Sequence, residues 1–355
     1  MKFVLNERLH GVLKILWYIR IVMKIIETPG CGELKKTCES FLKEWENDSD
    51  EIILTTSGST GKSKTMKFKK QWLLNSAKMT GGYFQLKANQ TALLCMSPEF
   101  VAGKMMIVRA LMHNMNLLLA PVNANPLKNV TVEKIDFAAM VPLQIKTILK
   151  ENPDKLKKIR QLIIGGAPLL QTEIKAVQNY DISVYETFGM TETLSHVALK
   201  AIKNNNNIFH GIGDVSFSSN KDCLVIHAPM LGQPALQTND VIKLLTSQSF
   251  IWKGRADFVI NSGGVKVHPE EVEKLLETLL PSDRFFVCGL KDKHLGEKVT
   301  LICEKDLVIT PEELDQLFQS HPYWKPREII YLSKIVKTAN NKINRLATLK
   351  SIEIE

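Results

Sequence analysis

At 355 residues, with 45% hydrophobic and 23% charged positions, the chain exceeds what one core usually organises, and two domains are expected. Lys and Arg number 46 against 37 Asp and Glu, a net charge of +9, but the basic residues are spread out without interleaved aromatics. That distribution argues against nucleic acid and for small polyanionic ligands.

The opening stretch, Met1 to Glu27, is apolar but is broken by Arg8, His10, Lys14, Arg20 and Lys24. It lacks the run of about eighteen apolar residues that a membrane span needs, and no small-residue cleavage site follows it. It reads as an amphipathic surface helix, or as a start-site extension ahead of Met23. Six cysteines, Cys31, Cys38, Cys95, Cys223, Cys288 and Cys303, form no CxxC pair and no zinc-spaced cluster with histidine, so reduced thiols in a cytoplasmic setting are expected.

The apolar run Ile52, Ile53 and Leu54 predicts a strand, and the ten residues after it read TTSGSTGKSK, from Thr55 to Lys64. Such a loop offers backbone N–H groups, hydroxyls and ammonium charges to one concave spot, as a nucleoside triphosphate requires. It is not a Walker loop, because counting back from Gly61, Lys62 and Ser63 puts Thr56 where the first glycine should stand. A plain Ser/Thr/Gly surface turn is the alternative from the loop alone.

Short apolar segments follow at Ala92 to Met96, Leu117 to Ala120, Phe137 to Val141, Gln161 to Ile164 and Ser183 to Tyr185, several separated by helix-length stretches. This pattern predicts a layered α/β core. Asn204 to Asn207 reads as a solvated loop. Beyond Arg255 the style changes. Pro269 opens a helix whose Val272, Leu275, Leu276, Leu279 and Leu280 form one apolar stripe, and Thr310, Pro311 and Glu313 form a capping box at the start of another. Residues 1–256 and 257–355 are expected to form a large α/β domain and a small compact α+β domain.

Four further segments complete the case: YETFGMTET from Tyr185 to Thr193, QTND from Gln237 to Asp240, GRADFVINSGGVKVHPEEVE from Gly254 to Glu273, and TANNKINR from Thr338 to Arg345. With the first loop, and in this order, they resemble the adenylate-forming superfamily of acyl-CoA synthetases, luciferases and peptide-synthetase adenylation domains. The resemblance implies activation of a carboxylate by ATP with Mg²⁺, giving an acyl-adenylate that a thiol such as coenzyme A then displaces. The catalytic demand is mainly positioning and charge stabilisation around the phosphates.

Carried onto this sequence, the resemblance makes Thr56, Ser57, Gly58, Ser59, Thr60, Gly61 and Lys64 the phosphate loop, with Ser63 where the family usually has proline. Gly165, Gly166, Ala167 and Pro168 become the adenine-flanking turn. Phe188, with Gly189 and Met190, stands where an aromatic meets adenine, Thr191 where a hydroxyl meets the phosphates, and Glu192 where a carboxylate holds Mg²⁺. Asp240, after Asn239 in place of the usual glycine, matches the ribose-binding aspartate. Arg255 reaches ribose and phosphate, Asp257 is the hinge, and Lys342 is the adenylation lysine of the mobile domain, after Asn341 in place of glycine.

Only 54 residues precede Thr55, where most members have a longer N-terminal subdomain, so that subdomain is expected to be truncated. This feature, MVPLQ at Met140 to Gln144 and TETLSHVALK at Thr191 to Lys200 are similar to the short o-succinylbenzoate-CoA ligases of menaquinone synthesis. A second substrate carboxylate needs a cation or donors, and Lys104, Arg109, Ser195 and His196 are the candidates. The segment Ser97 to Arg109 lacks the histidine that the family commonly has there. A ligase for another aryl or acyl acid, and a non-catalytic nucleotide-binding scaffold, are the alternative readings. Sequence alone leaves the oligomeric state open.

Overall fold

The computed structural model describes residues 23–55, 65–204, 206–337 and 343–352. The chain divides into two compact units, one of Met1–Ser216 with His227–Leu236 and the other of Phe217–Ile226 with Gln237–Glu355.

In the first unit, strands and helices run β1 (Ile25–Glu27), α1 (Gly32–Glu46), β2 (Glu51–Thr55), β3 (Thr65–Lys69), α2 (Lys70–Phe84), β4 (Thr91–Leu94), α3 (Val101–Met112), β5 (Asn116–Leu119) and β6 (Ile135–Met140). They continue with α4 (Pro142–Glu151), β7 (Ile159–Ile164), α5 (Gln171–Gln178), β8 (Ser183–Met190), β9 (Ser195–Ala201) and β10 (Ile208–Gly211). The sheet order is β1-β5-β4-β6-β7-β8-β9-β10. It is parallel from β1 to β8 and antiparallel from β8 to β10. Helical crossovers cover both faces of a parallel sheet, so its central strands read as continuous apolar runs. Every residue of β6, IDFAAM, is buried accordingly. Leu93, Leu118, Ala138, Leu162 and Ile164 from the strands pack with Ile145 and Ile148 of α4 in one core.

The start of the chain departs from expectation. Ile25 to Glu27 are not the end of a surface helix but an edge strand, pairing Ile25 with Leu117 and Glu27 with Leu119. Two β-branched residues beside a parallel edge favour the extended state. Residues 1–22 lie outside the described ones. Among the described residues, no helix is long and apolar enough to cross a membrane.

The second unit holds most of β11 (Ser216–Asn220), β12 (Cys223–Ala228) and β13 (Gln233–Thr246), and all of β14 (Ser249–Arg255), ordered β14-β13-β12-β11. After them come β15 (Ile260–Ser262), β16 (Val265–Val267), α6 (Pro269–Leu276), β17 (Phe285–Asp292), β18 (Gly296–Glu304), α7 (Pro311–Leu317), β19 (Glu328–Leu332) and α8 (Arg345–Ile352). The sheet β16-β15-β18-β17, with β19 added beside β18, packs Val287, Val299 and Leu301 against Val272 and Leu276 of α6. This is the expected α+β style.

Helix α6 is shorter than its stripe suggested. It ends at Leu276, Leu280 is still buried, and Leu279 is 42% exposed. Pro281 disfavours helical backbone at the residue before it, and the Thr278 hydroxyl donates to the Leu275 carbonyl at 2.8 Å, turning the chain early. The capping box of α7 forms as its residues predict. Thr310 Oγ1 accepts from the Glu313 N–H at 3.2 Å, and the Glu313 carboxylate accepts from the Thr310 N–H at 2.8 Å.

Candidate active site

The expected phosphate-loop residues Thr56, Ser57, Gly58, Ser59, Thr60, Gly61 and Lys64 lie outside the described residues. Their supports are described. β2 and β3 pair antiparallel with Thr55 opposite Thr65 and Leu54 opposite Met66, so the loop joins the two strands of a hairpin.

Adenine-flanking candidates sit at the end of β7. The Gly165 N–H donates to Met140 O at 3.1 Å, and a Cβ on Gly165 would lie 2.6 Å from Thr187 Oγ1. Gly166 has φ +90°, a left-handed conformation that glycine adopts without steric cost. The far end of the turn is tied by the Leu169 N–H, which donates to Glu186 Oε1 at 2.7 Å.

Phe188, Gly189 and Met190 close β8, and Thr191 and Glu192 begin the 3₁₀ turn Thr191–Thr193. The strand is irregular between Phe188 and Gly189, and a Cβ on Gly189 would meet Ser195 O at 2.0 Å. Two successive non-glycine residues take positive φ, Leu194 at 58° and Ser195 at 125°. Backbone held in such regions costs about 1–3 kcal/mol per residue and clusters at functional sites. Here Thr193 over-determines the turn: its Oγ1 accepts from the Met190 N–H at 3.0 Å and lies 2.7 Å from Ser195 O. The Glu192 carbonyl accepts from Gln233 Nε2 at 3.1 Å, and among the described residues no cation pairs with the Glu192 carboxylate.

Of the four acyl candidates, three come together. Arg109 of α3 is 1% exposed, and its Nη2 donates to Ser195 Oγ at 3.0 Å. Ser195 Oγ stands 3.3 Å from His196 Nδ1, His196 Nε2 stands 3.2 Å from Thr80 Oγ1, and Thr80 donates to Ser76 O at 3.1 Å. Because Thr80 uses its proton on Ser76, Nε2 of His196 is the donor and Nδ1 accepts from Ser195. Burial, with the nearby Arg109 charge, holds the His196 pKa well below 6.5, so the imidazole is neutral. Burial also lowers the Arg109 pKa, to about 9, which leaves it a cation at neutral pH. Lys104 does not join them. Its ammonium is met by Glu44 Oε2 and Ile53 O, both at 3.1 Å, and stands over the Phe41 ring, so its charge is already compensated.

In the second unit, Asp240 and Arg255 face each other across the β13–β14 pair. Asp240 is 6% exposed, and burial raises its pKa. Its Oδ1 accepts from Trp252 Nε1 at 2.9 Å, and its N–H donates to Thr238 Oγ1 at 3.1 Å. Arg255 Nη1 lies 3.9 Å from Asp240 Oδ2, and its Nη2 donates to Asp257 Oδ2 at 2.7 Å. Asn239 Nδ2 donates to the other oxygen of Asp257 at 3.1 Å. Trp252 escaped sequence reasoning because only strand register brings its indole to Asp240.

Lys342 lies outside the described residues. Its loop is closed by a bridge between Lys337 and Ile343, and just after it Arg345 is locked, with Nη2 on Glu273 Oε2 at 2.7 Å, Nη1 on Val287 O at 2.9 Å and the guanidinium over Phe258.

With this geometry in hand, comparison with known proteins gives the class: residues 24–215 match the AMP-binding enzyme family, and the chain belongs to that family. It is 30% identical to an acyl-CoA synthetase (AMP-forming)/AMP-acid ligase II-like protein from Dyadobacter fermentans, covering 90% of this chain and 95% of that one at a TM-score of 0.59. A 2-succinylbenzoate–CoA ligase from Listeria monocytogenes is 23% identical over 335 residues, 86% of this chain and 71% of the relative. The fold is also that of the o-succinylbenzoate CoA synthetase of Bacillus subtilis solved with the acyl-adenylate intermediate OSB-AMP, at 18% identity, 96% and 81% coverage and a TM-score of 0.72.

Proposed function

We propose that this chain is an AMP-forming acid–thiol ligase that converts o-succinylbenzoate to its coenzyme A thioester in menaquinone biosynthesis, with ATP and Mg²⁺. The observation that carries the substrate reading is Arg109, a buried guanidinium with no carboxylate partner among the described residues. A buried cation without a counter-charge is costly, and a substrate carboxylate beyond the one being activated would supply it. Ser195 and neutral His196 add hydrogen-bonding groups to the same spot. The names of the curated relatives agree with this choice.

In the first half-reaction a substrate carboxylate oxygen attacks the α-phosphorus of ATP, and the bond to pyrophosphate breaks. In the second, the sulfur of coenzyme A attacks the acyl carbon, AMP leaves, and the thiol proton passes to solvent. Residues 56–61 and Lys64 bind the leaving phosphates, Gly165, Gly166, Ala167 and Phe188 flank adenine with Gly189 and Met190 shaping the strand end, and Asp240 with Arg255 receives the ribose. The Glu192 carboxylate, which pairs with no cation among the described residues, and the Thr191 hydroxyl are an oxygen set suited to Mg²⁺, which when bound would neutralise phosphate charge. Lys342 bridges carboxylate and α-phosphate in the first step, and backbone change at Asp257 separates the two steps, with 1–256 and 257–355 as the functional domains. Six free cysteines and small-molecule substrates suit a cytoplasmic enzyme, with ATP and coenzyme A rather than nucleic acid answering the net charge.

ATP–pyrophosphate exchange across a panel of aryl acids tests this. Exchange is expected with o-succinylbenzoate, and Arg109→Met should raise KM for that acid about ten- to a hundredfold while changing benzoate little, since a hydrogen bond to a charged group contributes about 1.5–3 kcal/mol. Equal effects on both acids would make Arg109 a scaffold residue. Exchange with other acids alone would replace the substrate, and no exchange with any acid would favour a nucleotide-binding scaffold.

A further inference from the structure

Glu186 and Lys200 are directly opposed on β8 and β9, and both are withdrawn from water, with side chains 5% and 14% exposed. Their carboxylate and ammonium form an ion pair. An ion pair in such a place is weak support for stability, because removing two charges from water costs about as much as their attraction returns. What it does supply is geometry. Glu186 Oε1 accepts at 2.7 Å from the N–H of Leu169, the first N–H after the Gly165–Pro168 turn, because Pro168 has none. The opposite end of the turn is held by Gly165 on Met140 O, and Thr187, the neighbour of Glu186, donates to Ile164 O at 3.2 Å.

On the other side, Lys200 Nζ stands 5.3 Å from the centre of the Phe209 ring, and Phe209 meets Phe188 edge to face at 5.8 Å. Glu186 and Phe188, two residues apart on one strand, share a face of β8. One connected set of contacts therefore runs from the turn through Glu186 and Lys200 to Phe209 and Phe188. We propose that Glu186 and Lys200 are a positioning pair for the adenine of ATP, fixing the Gly165–Pro168 turn on one side and the Phe188 ring on the other. This rests on the reading above that the turn and Phe188 flank adenine. The pair touches no reacting atom, so its loss should appear in nucleotide affinity and base selectivity, not in the chemical step.

The test is calorimetric titration of ATP and GTP into the full-length protein, with steady-state kinetics alongside. Lys200→Met and Glu186→Ala should weaken ATP binding about tenfold and narrow the preference for ATP over GTP, with kcat and KM for coenzyme A within about twofold. Lys200→Arg should restore the affinity. Phe209→Leu leaves the ion pair in place and should still weaken ATP by severalfold, so it decides the matter if the charge variants fail to fold. Folded variants with unchanged ATP affinity and selectivity would overturn the positioning role alone. A wild-type protein that binds no ATP would overturn the parent reading with it.

Discussion

At the residue scale, His196 is a histidine kept neutral by its surroundings, and that has a consequence for stability. The unfolded imidazole takes up its proton near pH 6.5, whereas the folded one does so only well below. Unfolding therefore absorbs a proton as the medium turns acid, and the stability present above pH 6.5 is lost as pH falls below it. His196→Gln removes this titration. In urea denaturation, wild type should exceed the variant most above pH 6.5, and the gap should narrow toward pH 5; a constant gap would show that His196 titrates in the folded state as it does in water. Lys342 carries a second residue-scale prediction. Lys342→Ala should slow adenylate formation by about a hundredfold or more, as loss of a charge-stabilising group does, while a supplied acyl-adenylate still reacts with coenzyme A. Near-normal adenylation by the variant would remove Lys342 from that role.

At the element scale, what the chain made legible was where elements start, and what it hid was where they stop and what crosses between them. Thr310, Pro311 and Glu313 announced α7 because a cap is a local bond among residues three apart. Thr310→Ala should cost about 1 kcal/mol, read as a lowered urea midpoint with an unchanged m-value; no shift would mean that tertiary packing alone holds the helix. The end of α6 was misread because the apolar stripe continues to Leu279 and Leu280 while Pro281 and Thr278 turn the backbone. Ile25 to Glu27 misled for a related reason, since pairing with Leu117 to Leu119 lies some ninety residues away in sequence. The ion pair of Glu186 with Lys200, and the indole of Trp252 on Asp240, depend on strand register, which no single segment encodes. Phe188, Thr191 and Glu192 stand out as candidates because their groups fall in a few consecutive residues at the end of β8. The strain at Leu194 and Ser195 was not, because neither residue type advertises positive φ.

For the whole molecule, the order of motifs along the chain points to the family that residues 24–215 match, the reaction proposed for it runs in two steps, and the residue expected to separate those steps is Asp257. Its carboxylate receives Arg255 on one oxygen and Asn239 on the other, inside the 3₁₀ turn Ala256–Phe258. A proline there fixes φ near −65°, a value a 3₁₀ position accepts, so large rotation at that residue is blocked. Asp257→Pro also deletes the carboxylate, which makes Asp257→Ala the necessary companion, since it loses the same bonds but keeps backbone freedom. If rotation at this residue separates adenylation from thioester formation, Asp257→Pro should retain pyrophosphate exchange and lose coenzyme A transfer, and Asp257→Ala should retain both. Loss of transfer in both variants would assign the effect to the contacts with Arg255 and Asn239. Normal half-reactions in both, assayed separately, would move the hinge away from this residue.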